Sequence, residues 1–185
     1  SFSIILACTL TKVSAQTVSF TVSMDQPASQ YFRVSMQCTG FKGKTQDFKM
    51  PVWTPGYYQR LDFANNLDSF SATDDKSQSL SYEKLNGNVW RVQTNDASGF
   101  TLNYVIKATR AFVATPFLDS TRGYISPAGV FLYPADRLKQ KVQVTIKPYA
   151  AWKDVATGLD VVAGKNYTYS APDYDVLYDC PILIG

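Results

Sequence analysis

Ser81 and Lys84 stand three residues apart in Ser81-Tyr82-Glu83-Lys84. That spacing lets a lysine activate a serine nucleophile when a helix aligns the pair. Here the pair runs into Asn86-Gly87, a strong hairpin signal, so the match reads as coincidence. Asp173, Asp175 and Asp179 are clustered, but not at the spacing of a calcium loop; they read as helix capping and surface. A glycosidase needs two carboxylates flanking a bond, whereas most aspartates here lie in turns, where Asp bonds its own backbone. Glu83 is the only glutamate. Zinc would have to use Cys38, Cys180 and Asp, and no Cys-x-x-Cys spacing exists. The decisive count is zero histidines. It excludes Ser-His-Asp, Cys-His and His-Glu-x-x-His chemistry within these residues. The sequence therefore reads as having no catalytic residue, no metal site and no cofactor of its own.

What remains is a surface chemistry of aromatic rings. Phe48, Met50 and Val52 alternate with Lys49, Pro51 and Trp53, a period of two that predicts a strand. Pro55-Gly56 then fits the centre of a type II turn, proline presetting φ and glycine taking the positive φ that follows. Trp53, Tyr57, Tyr58 and Phe63 flank that turn. Two readings are open: the rings cover a sandwich edge, or they form a binding surface.

The stretch Met50-Pro51-Val52-Trp53-Thr54-Pro55-Gly56-Tyr57-Tyr58, followed by Arg60, Asp62 and Phe63, resembles the signature of the N-terminal domain of glycyl aminopeptidase-type metallopeptidases. These are zinc gluzincins that often carry a PDZ domain. Arg110-Ala111-Phe112, Gly129 to Pro134 and Tyr174 to Gly185 are similar to the same family in the same order. The resemblance implies that the zinc helix and its ligands lie in a catalytic domain after this one. It also implies that this domain packs on that catalytic domain and helps close the cleft over a peptide substrate. By this analogy the turn Trp53, Pro55, Gly56, Tyr57 and Tyr58 and the irregular loop carrying Arg122, Ser126 and Gly129 are the candidate substrate-cleft or interdomain surface.

The elements that must position these residues read as all-β. A hydrophobic content of 45% against 18% charged gives a chain of this length a core that needs no metal or disulfide. Alternating runs begin at Val18, Phe32, Phe100 and Val142, with turn signals about every ten residues, which predicts an antiparallel β-sandwich. Residues 111–128 have no clean period and read as a long excursion. The tail is the one helix candidate: Pro172 suits its first position, Asp173 and Asp175 favour its positive end, and Val176, Leu177 and Tyr178 would face the body. Ile182 to Ile184 would then form an exposed apolar patch. Cys38 and Cys180 could pair, or Cys38 could be a small buried hydrophobe.

Residues 1–15 read as the remnant of a secretory signal, an apolar run followed by Val13-Ser14-Ala15. Simple export and lipidation at Cys8 are both open. The run is too short to span a membrane. A net charge of +3, scattered among aspartates, gives no nucleic-acid stripe. The division expected is thus 1–15 leader, 16–170 sandwich, and 171–185 a short helix and linker toward a missing domain. The function expected is that of the non-catalytic front domain of an exported zinc aminopeptidase, zinc belonging to the missing domain. The alternative is a self-sufficient carbohydrate-binding sandwich that stacks sugars on Trp53, Tyr57 and Tyr58.

Overall fold

Strands form wherever apolar and polar side chains alternate, because that pattern lets one face of a sheet bury while the other meets water. A computed structural model describes residues 16–185; the leader reading and Cys8 lie outside the described residues. In chain order the strands are β1 (Thr17–Ser23), β2 (Tyr31–Thr39), β3 (Thr45–Lys49), β4 (Leu67–Asp74), β5 (Ser79–Leu80), β6 (Tyr82–Asn86), β7 (Val89–Gln93) and β8 (Gly99–Lys107). They continue with β9 (Phe117–Leu118), β10 (Gly123–Ile125), β11 (Tyr133–Pro134), β12 (Val142–Lys147), β13 (Val155–Thr157), β14 (Asp160–Val161), β15 (Thr168–Ala171) and β16 (Ile182–Ile184). The single α-helix among the described residues, α1, spans Tyr174–Asp179.

The largest sheet has the order β14-β15-β12-β1-β2-β8-β4-β5. Its inward face carries Phe20, Phe32, Met36, Leu102 and Ile106 at 0–1% exposure. Two four-stranded sheets, β11-β3-β7-β6 and β13-β16-β10-β9, complete the fold. Aromatic contacts knit the layers. Phe48 of β3 meets Phe100 of β8 edge-on at 5.9 Å, and Phe131 lies against Phe20 of β1 at 4.8 Å. Edge-on pairs of this kind add to the hydrophobic gain of burial. The all-β antiparallel architecture with a short C-terminal helix is thus as expected.

One pairing is not antiparallel. β1 and β12 run parallel, from Val18 opposite Val142 to Ser23 opposite Lys147. Each strand's alternation fixes which face is buried. It does not fix which distant strand lies beside it.

The tail departs from its expected form in three ways. Asp173, not Pro172, sets the start of α1: its carboxylate accepts the Val176 backbone N–H at 3.0 Å, which makes it the N-cap and leaves Pro172 outside the helix. Tyr174 and Leu177 are buried while Val176 is exposed, because three consecutive helical residues cannot share one face. Ile182 and Ile184 are buried and Leu183 alone points out. The segment 182–184, expected in a linker, is strand β16, paired with β10 on one side and β13 on the other. Cys38 and Cys180 are both free thiols, Cys38 buried as a small hydrophobe.

Candidate functional site

The turn forms as its residue types require. Tyr57 N–H donates to the Thr54 carbonyl at 3.2 Å, closing the four residues, and Gly56 adopts φ +77°, a conformation an L side chain rarely takes. Leu61 N–H donates back to the Val52 carbonyl at 2.8 Å, so residues 52–61 make a loop closed at its base. Trp53 and Tyr58 point away from the body, 53% and 91% exposed. Tyr57 turns the other way. Its ring stands edge-on to Phe112, with centroids 5.1 Å apart, and its hydroxyl donates to Gln59 Oε1 at 3.1 Å.

The excursion expected at 111–128 is not wholly irregular: it contains β9 and β10, which pair with each other, and β10 also pairs with β16. Hydrogen bonds from side chains hold the residues between and around these strands. Asp119 accepts from the Thr121 hydroxyl at 2.7 Å and from the N–H groups of Thr121 at 2.8 Å and Arg122 at 3.1 Å. These bonds, the Thr121 hydroxyl first, hold its carboxyl below the ordinary carboxylate range. The Arg122 guanidinium lies over Phe117 at 5.6 Å. Tyr124 OH donates to the Val113 carbonyl at 2.7 Å, and Ser126 Oγ to the Ala114 carbonyl at 3.1 Å. Both bonds tie β10 and its exit to residues 113–114.

These two segments, far apart in sequence, meet. A cleft of about 300 Å³ is lined by Pro55, Gly56 and Tyr57 on one side and Val113, Tyr124 and Ser126 on the other. The turn has a second flank as well. There, Trp53, Tyr58, Tyr133 and Tyr178 line a cavity of about 450 Å³. Asp179, the last residue of α1, lines both spaces. Arg122 belongs to a third, apolar space of about 550 Å³ with Val113, Phe117 and Leu183. Val113 and Leu183 are its large exposed apolar residues, at 73% and 56%.

Of the eight candidate residues, Pro55, Gly56, Tyr57 and Ser126 share the first cleft. Trp53 and Tyr58 line the second cavity, and Arg122 the third. Ser126 is itself 3% exposed, with its hydroxyl committed to Ala114. Gly129 is buried in a 3-10 turn, Pro127–Gly129, and reaches none of these surfaces. It lets the backbone pass: a Cβ there would lie 2.7 Å from Pro116 Cδ and 2.9 Å from Phe63 Cδ1.

Tyr178, Asp179, Tyr124 and Val113 were not among the candidates. Tyr178 and Asp179 lie in the Tyr174 to Gly185 segment quoted for the resemblance, and Val113 and Tyr124 in the excursion; no periodicity brings those segments to one rim. Ser81 and Lys84 are exposed on and beside β6, and Lys84 Nζ lies 5.0 Å over the Trp90 ring. No group of three or more His, Cys, Asp or Glu placed to hold a metal ion exists among the described residues. No described helix is long and apolar enough to cross a membrane.

Fold and rim together define an all-β domain whose distinctive surface is a set of clefts around one turn. A family profile for the peptidase M61 N-terminal domain matches residues 19–185. The chain belongs to that family. Its fold is similar to that of an aminopeptidase N family protein from Idiomarina loihiensis, with a TM-score of 0.83 and 22% identity. That match covers 91% of this chain and 29% of the other, so the chain spans less than a third of that relative's length. An M1 zinc metallopeptidase from Deinococcus radiodurans gives a TM-score of 0.45 and 11% identity over 92% of this chain and 41% of that one. No curated protein matches the chain.

Proposed function

We propose that this is the non-catalytic N-terminal domain of an exported zinc aminopeptidase, packing on a catalytic domain and shaping its peptide cleft. The observation that carries the reading is the family match over residues 19–185. The meeting of the Pro55-Gly56-Tyr57 turn with the Val113–Ser126 segment gives it a physical form. A cleft walled by a fixed turn and a hydrogen-bonded loop is preorganised, so a peptide lying there loses less entropy on binding. The apolar space bearing Val113 and Leu183 is the kind of surface a neighbouring domain covers. Zinc has no fitting residue set among the described residues, the sequence has no histidine, and the metal is assigned to the catalytic domain of the whole enzyme. Export follows the leader reading of residues 1–15.

The test is to read the coding DNA past Gly185. A His-Glu-x-x-His helix followed by a glutamate ligand supports the reading. Peptidase activity with stoichiometric zinc on these 185 residues overturns it.

The exposure of Trp53 and Tyr58 gives the carbohydrate-stacking reading its support. Tyr57, the third ring of that platform, is engaged with Phe112 and opens onto the other flank. The platform is split, and the peptidase reading accounts for more of the geometry. A glycan that quenches tryptophan fluorescence of the isolated chain would reverse that order.

A further inference from the structure

The flank of the turn that faces α1 has a chemistry of its own. Its cavity of about 450 Å³ has Trp53, Tyr58, Tyr133 and Tyr178 in its walls and the carboxylates of Asp175 and Asp179 beside them. Aromatic faces attract cations through their quadrupoles, and carboxylates add charge to that attraction. Asp175 is already paired: Lys139 Nζ sits 2.6 Å from it and 3.1 Å from Asp173, which leaves Asp179 as the carboxylate open to a ligand. Asp179 has no ion-pair partner among the described residues. It closes the last turn of α1, where no basic side chain offsets it and the carbonyl ends are already negative. A carboxylate in that position works against local stability, so the fold gives no reason for it. Elsewhere the chain lays guanidinium groups on rings, Arg110 over Phe112 at 4.7 Å and Arg137 over Phe41 at 5.2 Å. Trp53 and Tyr58 have no such internal partner among the described residues.

We infer that this cavity is a docking site for an arginine side chain presented by a polypeptide partner. Charge complementarity selects the occupant. A guanidinium is planar and weakly hydrated, so it stacks on Trp and Tyr faces while its fork meets a carboxylate. A lysine ammonium is compact and strongly hydrated and matches the ring walls less well. A neutral side chain would leave Asp179 without a counter-charge. The site shares Tyr178 and Asp179 with the peptide cleft proposed above, whereas Trp53, Tyr58 and Tyr133 line this cavity and not that cleft. It does not rest on that reading, and Tyr58→Ala separates the two.

Trp53 is half-exposed, whereas Trp90 and Trp152 are buried, so tryptophan fluorescence reports on this cavity. The test titrates the chain with acetyl-Gly-Arg-Gly-amide and with the same peptide carrying citrulline, the neutral isostere. The arginine peptide should give a saturable change that weakens with salt. Asp179→Asn and Tyr58→Ala should each weaken binding roughly fivefold. The citrulline peptide should give no saturable change. Asp179 and Tyr58 are exposed, so both variants should keep the wild-type circular dichroism spectrum. An equal response to citrulline, no saturable response to arginine, or unchanged affinity in Tyr58→Ala overturns the inference. Peptidase activity in these residues would sink the domain reading and leave this titration untouched.

Discussion

The ring of Tyr57 stands edge-on to that of Phe112, with centroids 5.1 Å apart and planes at 80°. This contact joins the Pro-Gly turn to the start of the 111–129 excursion and so sets the width of the cleft between them. Edge-to-face pairs contribute about 0.5–1.5 kcal/mol beyond area burial. A double-mutant cycle of Tyr57→Ala and Phe112→Ala, followed by urea unfolding, should return a coupling energy in that range. Additive single effects would mean that the turn and the excursion are held by something else.

Gly129 is where the excursion passes beneath its neighbours. A methyl group there would lie 2.7 Å from Pro116 and 2.9 Å from Phe63, both held in packed surroundings. Gly129→Ala should cost about 1–3 kcal/mol through overpacking. Gly87→Ala, at a hairpin position with nothing within 4 Å, should stay within about 0.5 kcal/mol of wild type. Equal denaturant midpoints for the two variants would show that the loop relaxes freely around residue 129.

Two buried tyrosines should respond oppositely to loss of their hydroxyls. Tyr104 OH donates to the Val130 carbonyl at 2.9 Å and accepts from the Leu132 N–H at 3.3 Å. Tyr174 OH is buried and has no hydrogen-bond partner among the described residues. Tyr104→Phe should destabilise by about 1–3 kcal/mol because it strands buried backbone groups. Tyr174→Phe removes an unpaired polar group and should be neutral or stabilising. Thermal melts of the two variants check the contrast, and a large loss at Tyr174→Phe would show that its hydroxyl is satisfied.

Asp47 and Arg91 pair across β3 and β7 through two bonds, from Nε at 2.7 Å and from Nη2 at 2.8 Å. Those bonds are the largest effect and hold the Asp47 carboxyl below its ordinary range; burial opposes them, and the charges of Arg91 and Lys49 add smaller lowering effects. The folded state therefore resists protonation more than the unfolded chain does. The stability this pair contributes is fully present above about pH 4 and fades as pH falls through the lower folded value. Asp47→Asn should be less stable than wild type at neutral pH, and the gap should close in acid. Denaturant midpoints measured from neutral pH into the acid range would test it, and a gap that stays constant would sink it.

Much of this protein is legible in its residues. Alternation at Val18–Met24, Phe32–Cys38, Phe100–Ile106 and Val142–Ile146 determined the strands and their buried faces, since the pleat has a period of two whatever surrounds it. Pro55-Gly56 determined its turn, because only glycine takes φ +77° without strain. The absence of histidine ruled out histidine-based chemistry within these residues. Tertiary structure decided the rest. Only the folded sheet places β12 parallel to β1 and seats β16 between β10 and β13, burying two isoleucines expected to be exposed. Only packing brings Tyr57 to Phe112, and Trp53 to the same cavity as Tyr178. The physical reason is the range of the forces involved. Turn geometry and strand alternation are local and are written in neighbouring residues, whereas a cleft is made by contacts between segments far apart in sequence, which no local period encodes.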